Sequence, residues 1–431
     1  MKGTVVAAVA AVVVALSLNA EGAQPAFSPV MGGAYDELLP ILVRGRPVVP
    51  SFKFRIEHDD NIFTEETDPV EMWKLVIEPK MDIHILRELA YYGISYQYSL
   101  VYFEDRDPDT DQSHDVVLTL NQKISERFEI RVRDRYRNMQ EPELVEVTVA
   151  EGPAGERVFT VRQRNDRDYN VFSPTVIINL TERLTSSLAY EHMLIDYEDP
   201  DVSLSGDRTQ QSASASVNYI LSPKTYLTVF YRYQDNDYDY DEVKVDSTSN
   251  IISVGSTHQF SPTLTGTLQV GVEKRKFADY TRTASDGTEE LVTDQDQTAP
   301  YISASLRAPL SETLSTEIGY TYRIEETTEA AFISQELQSV YLGISQSFTD
   351  RFSAVFNATL DFADFSIDEA RYPDVQSDFE EQALLFALVL RYKIKPNWHA
   401  ELGWRFNDVD SDFPGESYRR NRAFIGLSAI F

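Results

Sequence analysis

The chain has 431 residues, a formal net charge of −30, no cysteine and 12% aromatic residues. That charge argues strongly against a nucleic-acid partner, whose phosphates demand a basic surface. The missing cysteines exclude disulfides, thiolate metal sites and cysteine nucleophiles. Acidity alone suggests disorder, but the aromatic and β-branched content argues for a folded chain.

The first element is Met1-Lys2, an apolar run from Val5 to Leu18, then small residues. This pattern predicts a secretory signal peptide over 1–23, cleaved after Ala20 or Ala23. The run is short for a membrane helix, which needs about 20 residues, and the longest later run is only Ala383 to Leu390. An integral protein of this sequence must therefore be a barrel, because only helices and closed barrels satisfy the backbone in lipid. Residues 24–49 are rich in Pro and Gly and read as a short periplasmic lead, with a helical turn or two between Tyr35 and Val43.

From residue 50 to 431 the chain alternates apolar and polar residues with a period of two. Strands are expected near 50–62, 72–85, 89–103, 114–124, 127–139 and 168–180, then 184–197, 209–221, 225–238, 249–260, 264–277 and 297–309. The series ends with 314–326, 334–348, 352–366, 379–394, 398–408 and 419–431. Tight turns punctuate them at Ser125-Glu126-Arg127-Phe128, Thr181-Glu182-Arg183-Leu184, Ser222-Pro223-Lys224-Thr225 and Ser261-Pro262-Thr263-Leu264. The same device recurs at Ser311-Glu312-Thr313-Leu314, Thr349-Asp350-Arg351-Phe352 and Lys395-Pro396-Asn397-Trp398, with a weaker turn at Leu86-Arg87-Glu88. Long acidic loops separate the hairpins. Short turn, strand, long loop, strand is the rhythm of a transmembrane antiparallel up-and-down β-barrel, and the count is about 18. A β-propeller also repeats every 40 to 50 residues or so, but a blade needs four short strands per repeat, and these repeats hold two long ones.

Alternation assigns the faces. Leu314, Ile318, Tyr320, Tyr322 and Ile324 share one face, and Glu317, Gly319, Thr321 and Arg323 the other. Trp398, Phe128 and Phe352 start strands just after short turns, while Tyr231, Tyr233, Tyr320 and Tyr322 lie farther along, as two aromatic belts require. Residues 140–167 contain two more alternating stretches around Gly152-Pro153-Ala154-Gly155 and read as an extra hairpin, extending the barrel or folding into it.

If the apolar face meets lipid, the other lines a bore. Arg131, Arg133, Arg135 and Arg137 then point inward together, with Arg232, Arg275, Arg323, Arg391 and Arg405 as further lumen bases and Glu273, Glu317 and Glu401 among the lumen acids. Such a lining sets solute selectivity, and arginine suits bidentate contact with carboxylate or phosphate. The competing reading is structural: arginines and glutamates paired across strands stabilise a wet interior. Asp134 falls on the lipid face, which calls for a position above the hydrocarbon or a shift of register. Asp107-x-Asp109-x-Asp111 and Asp408-x-Asp410-x-Asp412 resemble calcium loops but lack the central glycine and terminal glutamate. No Gly-x-Ser-x-Gly, P-loop or His-Glu-x-x-His occurs, and the six histidines have no zinc-like spacing. Neither catalysis nor a cofactor is expected.

His58-Asp59-Asp60-Asn61-Ile62-Phe63, an acidic loop, then Trp73-Lys74-Leu75-Val76-Ile77-Glu78-Pro79 resembles a family of β-barrel porins found beside exopolysaccharide-synthesis genes. The family's strand ends in Ser-Pro-Gly; here Glu78-Pro79-Lys80 stands instead. The resemblance covers 50–431 and implies an eighteen-stranded barrel in the Gram-negative outer membrane. It also implies passage of exopolysaccharide outward with periplasmic export partners. A general or anion-preferring diffusion porin, or a structural protein displaying acidic loops beside lipopolysaccharide, are the alternatives. The final Phe431 looks like the signal read by the outer-membrane barrel assembly machinery.

Overall fold

The computed structural model describes residues 46–139, 166–240, 243–283, 289–293, 296–327, 331–367 and 379–431. The expected signal peptide, nearly all of the 24–49 lead and the hairpin expected within 140–167 lie outside the described residues. The strands are β1 Val48–Asp59, β2 Met72–Arg87, β3 Ala90–Phe103, β4 Thr110–Ser125, β5 Phe128–Met139, β6 Arg167–Asn179 and β7 Leu184–Tyr197. Then come β8 Arg208–Ser222, β9 Thr225–Tyr238, β10 Ser247–Ser261, β11 Leu264–Phe277, β12 Tyr280–Thr283, β13 Glu289–Val292 and β14 Asp296–Pro309. The last are β15 Leu314–Glu325, β16 Phe332–Ser347, β17 Phe352–Ile367, β18 Phe379–Lys395, β19 Trp398–Ser411 and β20 Tyr418–Ile430. One short helix, α1 (Pro200–Gly206), sits in a long loop, and β12 and β13 form a small separate hairpin in another.

The remaining strands make one 18-stranded sheet in which each pairs antiparallel with its neighbour in sequence. β1 pairs with both β2 and β20, from Ser51↔Ile430 to Asp59↔Arg422, so the sheet closes into a barrel. β1 begins at Val48, two residues ahead of the expected 50.

Every short turn lies at the end where β1 begins and β20 finishes. The repeated Ser or Thr that opens six of them has one physical role. Its hydroxyl accepts a hydrogen bond from the backbone N–H two residues on: Arg127 to Ser125, Arg183 to Thr181, Lys224 to Ser222, Thr263 to Ser261, Thr313 to Ser311 and Arg351 to Thr349, at 3.2–3.3 Å. Such a local bond holds a tight turn without glycine.

The barrel is polar inside and apolar outside. Leu188, Val229, Ile252, Val254, Leu402 and Ile425 are exposed on the outer face, whereas Glu57, Asp59, Ser249, Gln269 and Asn407 are buried on the inner one. Outward tyrosines turn their hydroxyls to polar neighbours: Tyr98 to Gln112, Tyr190 to Gln211 and Tyr231 to Asn250, at 2.8–3.0 Å. This is the amphipathic arrangement of an interfacial belt. Strands of 12 to 17 residues exceed the 9–11 or so needed to cross a bilayer, so their loop-side ends stand above the hydrocarbon. Asp134 is on the outer face, opposite Leu118 and Phe172; the one register shift of the β4–β5 pair lies at its turn end, between Lys123 and Ser125, and Asn170 Nδ2 donates to Asp134 at 2.9 Å. Two inward glycines, Gly319 and Gly403, lie directly beneath the rings of Tyr341 and Phe424, where a Cβ would sit 2.1 Å from a ring carbon.

Candidate functional site

The inner wall carries the chemistry, because period-two alternation sends every second residue of each strand inward. On β5 this produces a row of four arginines. Arg131 Nε donates to Glu129 at 2.6 Å. Arg135 makes two bonds to Asp115, at 3.1 and 2.6 Å, and Arg137 two more to the same carboxylate, at 3.1 and 2.7 Å. Arg133 differs. Its cross-strand neighbours are Thr119 and Ser173, it makes no ion pair with a described residue, and it is exposed to the bore. Among the described residues, acidic side chains thus hold three members of the row and leave Arg133 without an ion pair.

Other inner-face residues pair as the structural reading expects. Arg391 and Glu401 face each other on β18 and β19 at 2.9 Å, and Glu401 also accepts from Ser428 at 3.1 Å. Glu317 accepts from Tyr341 at 3.1 Å and faces Arg307. Arg323 pairs with Glu325. Arg232 and Arg405 lie over the rings of Phe230 and Phe424, each 5.7 Å from the centroid.

A second constellation gathers at the barrel closure. Asp59, with no exposed surface, accepts two bonds from Arg420 and one from Lys74 at 3.0 Å. Lys74 also meets Glu57 at 3.1 Å, and Arg55 lies 3.7 Å from Glu57 and 3.4 Å from Glu78. These residues come from β1, β2 and β20.

The third constellation was hidden in the sequence. The upper end of β15 leaves β14, whose pairing with it stops at Ile302↔Tyr322, and bends into the barrel. There the backbone N–H of Ile324 donates to Glu273 of β11 at 3.3 Å. Glu326, just beyond β15, is the anchor. Its carboxylate accepts from Asn236 and Tyr238 at 2.7 Å, from Ser247 at 3.2 Å and from Arg275. Lys244 holds Thr327 through its carbonyl and hydroxyl. Burial opposes ionisation of Glu326, but the Arg275 charge outweighs it, and with the Tyr238 hydroxyl holds the carboxyl below its ordinary range. Glu273 and Arg275, expected to line the bore, do lie on the inner face; the tucked hairpin covers them, and each is 2% exposed. Phe332 continues the tuck by packing on Phe365, Phe379 and Phe413.

The aspartate triplets do not come together as cation sites. Asp111 pairs with Arg106 and Asp408 with Arg419, and among the described residues no cluster of three metal-ligating side chains occurs.

A closed barrel with an apolar outside and a wet, charged inside is an outer-membrane channel. The chain belongs to the family described as "Putative beta-barrel porin 2", whose pattern it matches over residues 48–431. No curated protein sequence matches it. Among solved structures it is similar to OccK2 of Pseudomonas aeruginosa, at 11% identity and a TM-score of 0.47, covering 89% of this chain and 98% of that one. OccAB4 of Acinetobacter baumannii is similar at 9% identity and a TM-score of 0.46, covering 90% and 99%. A BenF-like porin from Pseudomonas fluorescens stands at 11% and 0.47, covering 89% and 99%.

Proposed function

We propose that this barrel passes small anionic solutes across the outer membrane by passive diffusion. The observation that carries the proposal is Arg133: an exposed guanidinium on the inner face, in a row whose other members are held by carboxylates. A fixed cation with no ion pair among the described residues raises the local concentration of mobile anions, and the low-dielectric wall strengthens its field. The test is the reversal potential of purified barrels in a planar bilayer under a salt gradient. Anion preference is expected; cation preference would sink the proposal.

The resemblance to porins beside exopolysaccharide genes supplies the other reading, outward passage of an acidic polymer. The tucked hairpin takes room from the bore on the β9–β11 side, which supports small solutes over a polymer. A strain lacking the gene is therefore expected to keep its surface polysaccharide, and loss of that layer would favour export. Secretion by a cleaved 1–23 signal and insertion by the barrel assembly machinery, into lipid bearing lipopolysaccharide, belong to both readings.

A further inference from the structure

We infer that Pro300 sets the width of the bore, and so the size of solute that passes, by denying the top of β15 its place in the wall. The inference rests on the channel reading but not on its ion preference. β14 itself stays in the sheet, paired with β11 through Val272↔Pro300 up to Lys276↔Asp296. β15 stays paired with β16 as far as Glu325↔Gln335. Only the ladder between β14 and β15 ends early, at Ile302↔Tyr322. Continued by two residues, that register puts Ile324 opposite Pro300.

The sense of the hydrogen bonds decides what happens there. Alternate residues of an antiparallel strand direct their N–H and C=O to opposite neighbours. At the start of β15 the Ser347 N–H donates to the Thr313 carbonyl and the Ser311 N–H to the Leu314 carbonyl. Odd-numbered residues of β15 therefore serve β16, and even-numbered ones serve β14. In the wall, Ile324 would aim both its groups at Pro300, which has no N–H to give. Ile324 is 4% exposed, and buried backbone groups need partners. β11 supplies them from inside the barrel: the Ile324 N–H donates to Glu273 at 3.3 Å, and its carbonyl accepts from Arg275 Nη2 at 3.4 Å. Gln297 then closes the wall behind the hairpin, accepting from Ser334 at 2.7 Å and donating to Glu336 at 3.2 Å and to Ser366 at 3.4 Å.

Proline alone does not break the wall. The β2–β3 pairing skips Glu78 and Pro79 and resumes at Ile77↔Leu100. The β6–β7 pairing skips Ser173 and Pro174 and resumes at Phe172↔His192. At Pro300 the ladder does not resume, because Glu273 and Arg275 stand on the next strand to take the released backbone groups.

The test is single-channel recording of the full barrel in planar bilayers, with polyethylene glycols of graded mass to size the bore. Pro300→Thr restores the N–H on a face that already carries Thr298, and Pro300→Ala does the same where the threonine variant does not fold. Each is made in the native chain and in Glu326→Ala, which frees the hairpin without rebuilding the ladder. The restored N–H should draw β15 into the wall, so that conductance rises severalfold and larger glycols enter. Pro174→Thr, at a proline the ladder already bridges, should change neither. A rise on adding Pro300→Thr in either background supports the inference. No change in both, or an equal rise with Pro174→Thr, overturns it. The reversal potential keeps this apart from the anion reading: Pro300→Thr should leave its sign unaltered, and a cation-preferring barrel would end that reading while leaving the size test standing.

Discussion

Glu326 and Arg275 meet inside the barrel although β14 stands between the strands that lead to them. The contact exists because the top of β15 abandons the wall, and it holds the hairpin inward with help from Asn236, Tyr238 and Ser247. Among the described residues, Glu326→Ala removes the one carboxylate that brings this hairpin to Arg275 and leaves the buried cation with Glu273 alone. Breaking one partner of a buried pair costs about 3–5 kcal/mol. The variant should unfold at lower urea and conduct more in single-channel records, because the hairpin swings out of the bore. Equal conductance with equal stability would contradict the anchor.

The same carboxylate predicts a pH response. Its ordinary value is about 4.3, and in the folded barrel it lies lower, held down against the effect of burial by Arg275, Tyr238, Arg208 and Lys244. Glu273 is the acid that shares Arg275. A depressed folded value means stability that is fully present above the ordinary value and is lost as pH falls through the folded one. The Glu326 contribution should therefore appear as a rise in conductance only below about pH 4.3, and Glu326→Ala should abolish that rise. A step near pH 7 would assign the response to another group.

Arg133→Glu replaces a free cation with an anion at an exposed inner-face position. Ion preference should move toward cations, read as a change in reversal potential, with little change in unfolding midpoint, since no ion pair is lost. Arg135→Gln makes the opposite contrast. It removes two bonds to Asp115 and should cost stability more than selectivity.

The turn hydroxyls are open to direct measurement. Ser222→Ala removes the acceptor for the Lys224 N–H, a bond of about 0.5–1.5 kcal/mol net and toward the low end at this exposed rim. Replacing Ser125, Ser222 and Ser261 together should give a nearly additive loss, because the sites are separate. Denaturant unfolding of the refolded barrel checks both values.

Phe431 lies against Trp398, ring centroids 6.1 Å apart, and its N–H donates to the Pro50 carbonyl at 2.9 Å. Deleting it should lower the yield of membrane-inserted barrel in cells by severalfold while leaving refolding in detergent nearly intact. Equal yields in cells would remove Phe431 as an assembly signal.

The sheet was legible in the sequence because its causes are local. Period-two alternation marks the strands, and the hydroxyl that opens a turn bonds two residues away, so both signals fall within a few positions. The face of each arginine followed from the same alternation. What it could not reveal was which arginines would find carboxylates: Arg135 meets Asp115, twenty residues earlier on the neighbouring strand β4. The anchor was further out of reach. Asn236, Arg275 and Glu326 converge only because β15 bends away from its neighbour, and Glu326 reads in the chain only as the last residue of the strand expected over 314–326. Asp134 shows the converse. Its outward position was read correctly from the pattern, and the hydrogen bond from Asn170 that accommodates it lies 36 residues away.

The closure also bears on how the chain is completed. Asp59 and Lys74 emerge early in synthesis, and Arg420 among the last residues. Until β20 arrives, Asp59 has lysine but not arginine, and the edge of β1 is an unpaired strand. β20 thus brings to β1 both the missing backbone partners and the guanidinium that completes the Asp59 ion pair.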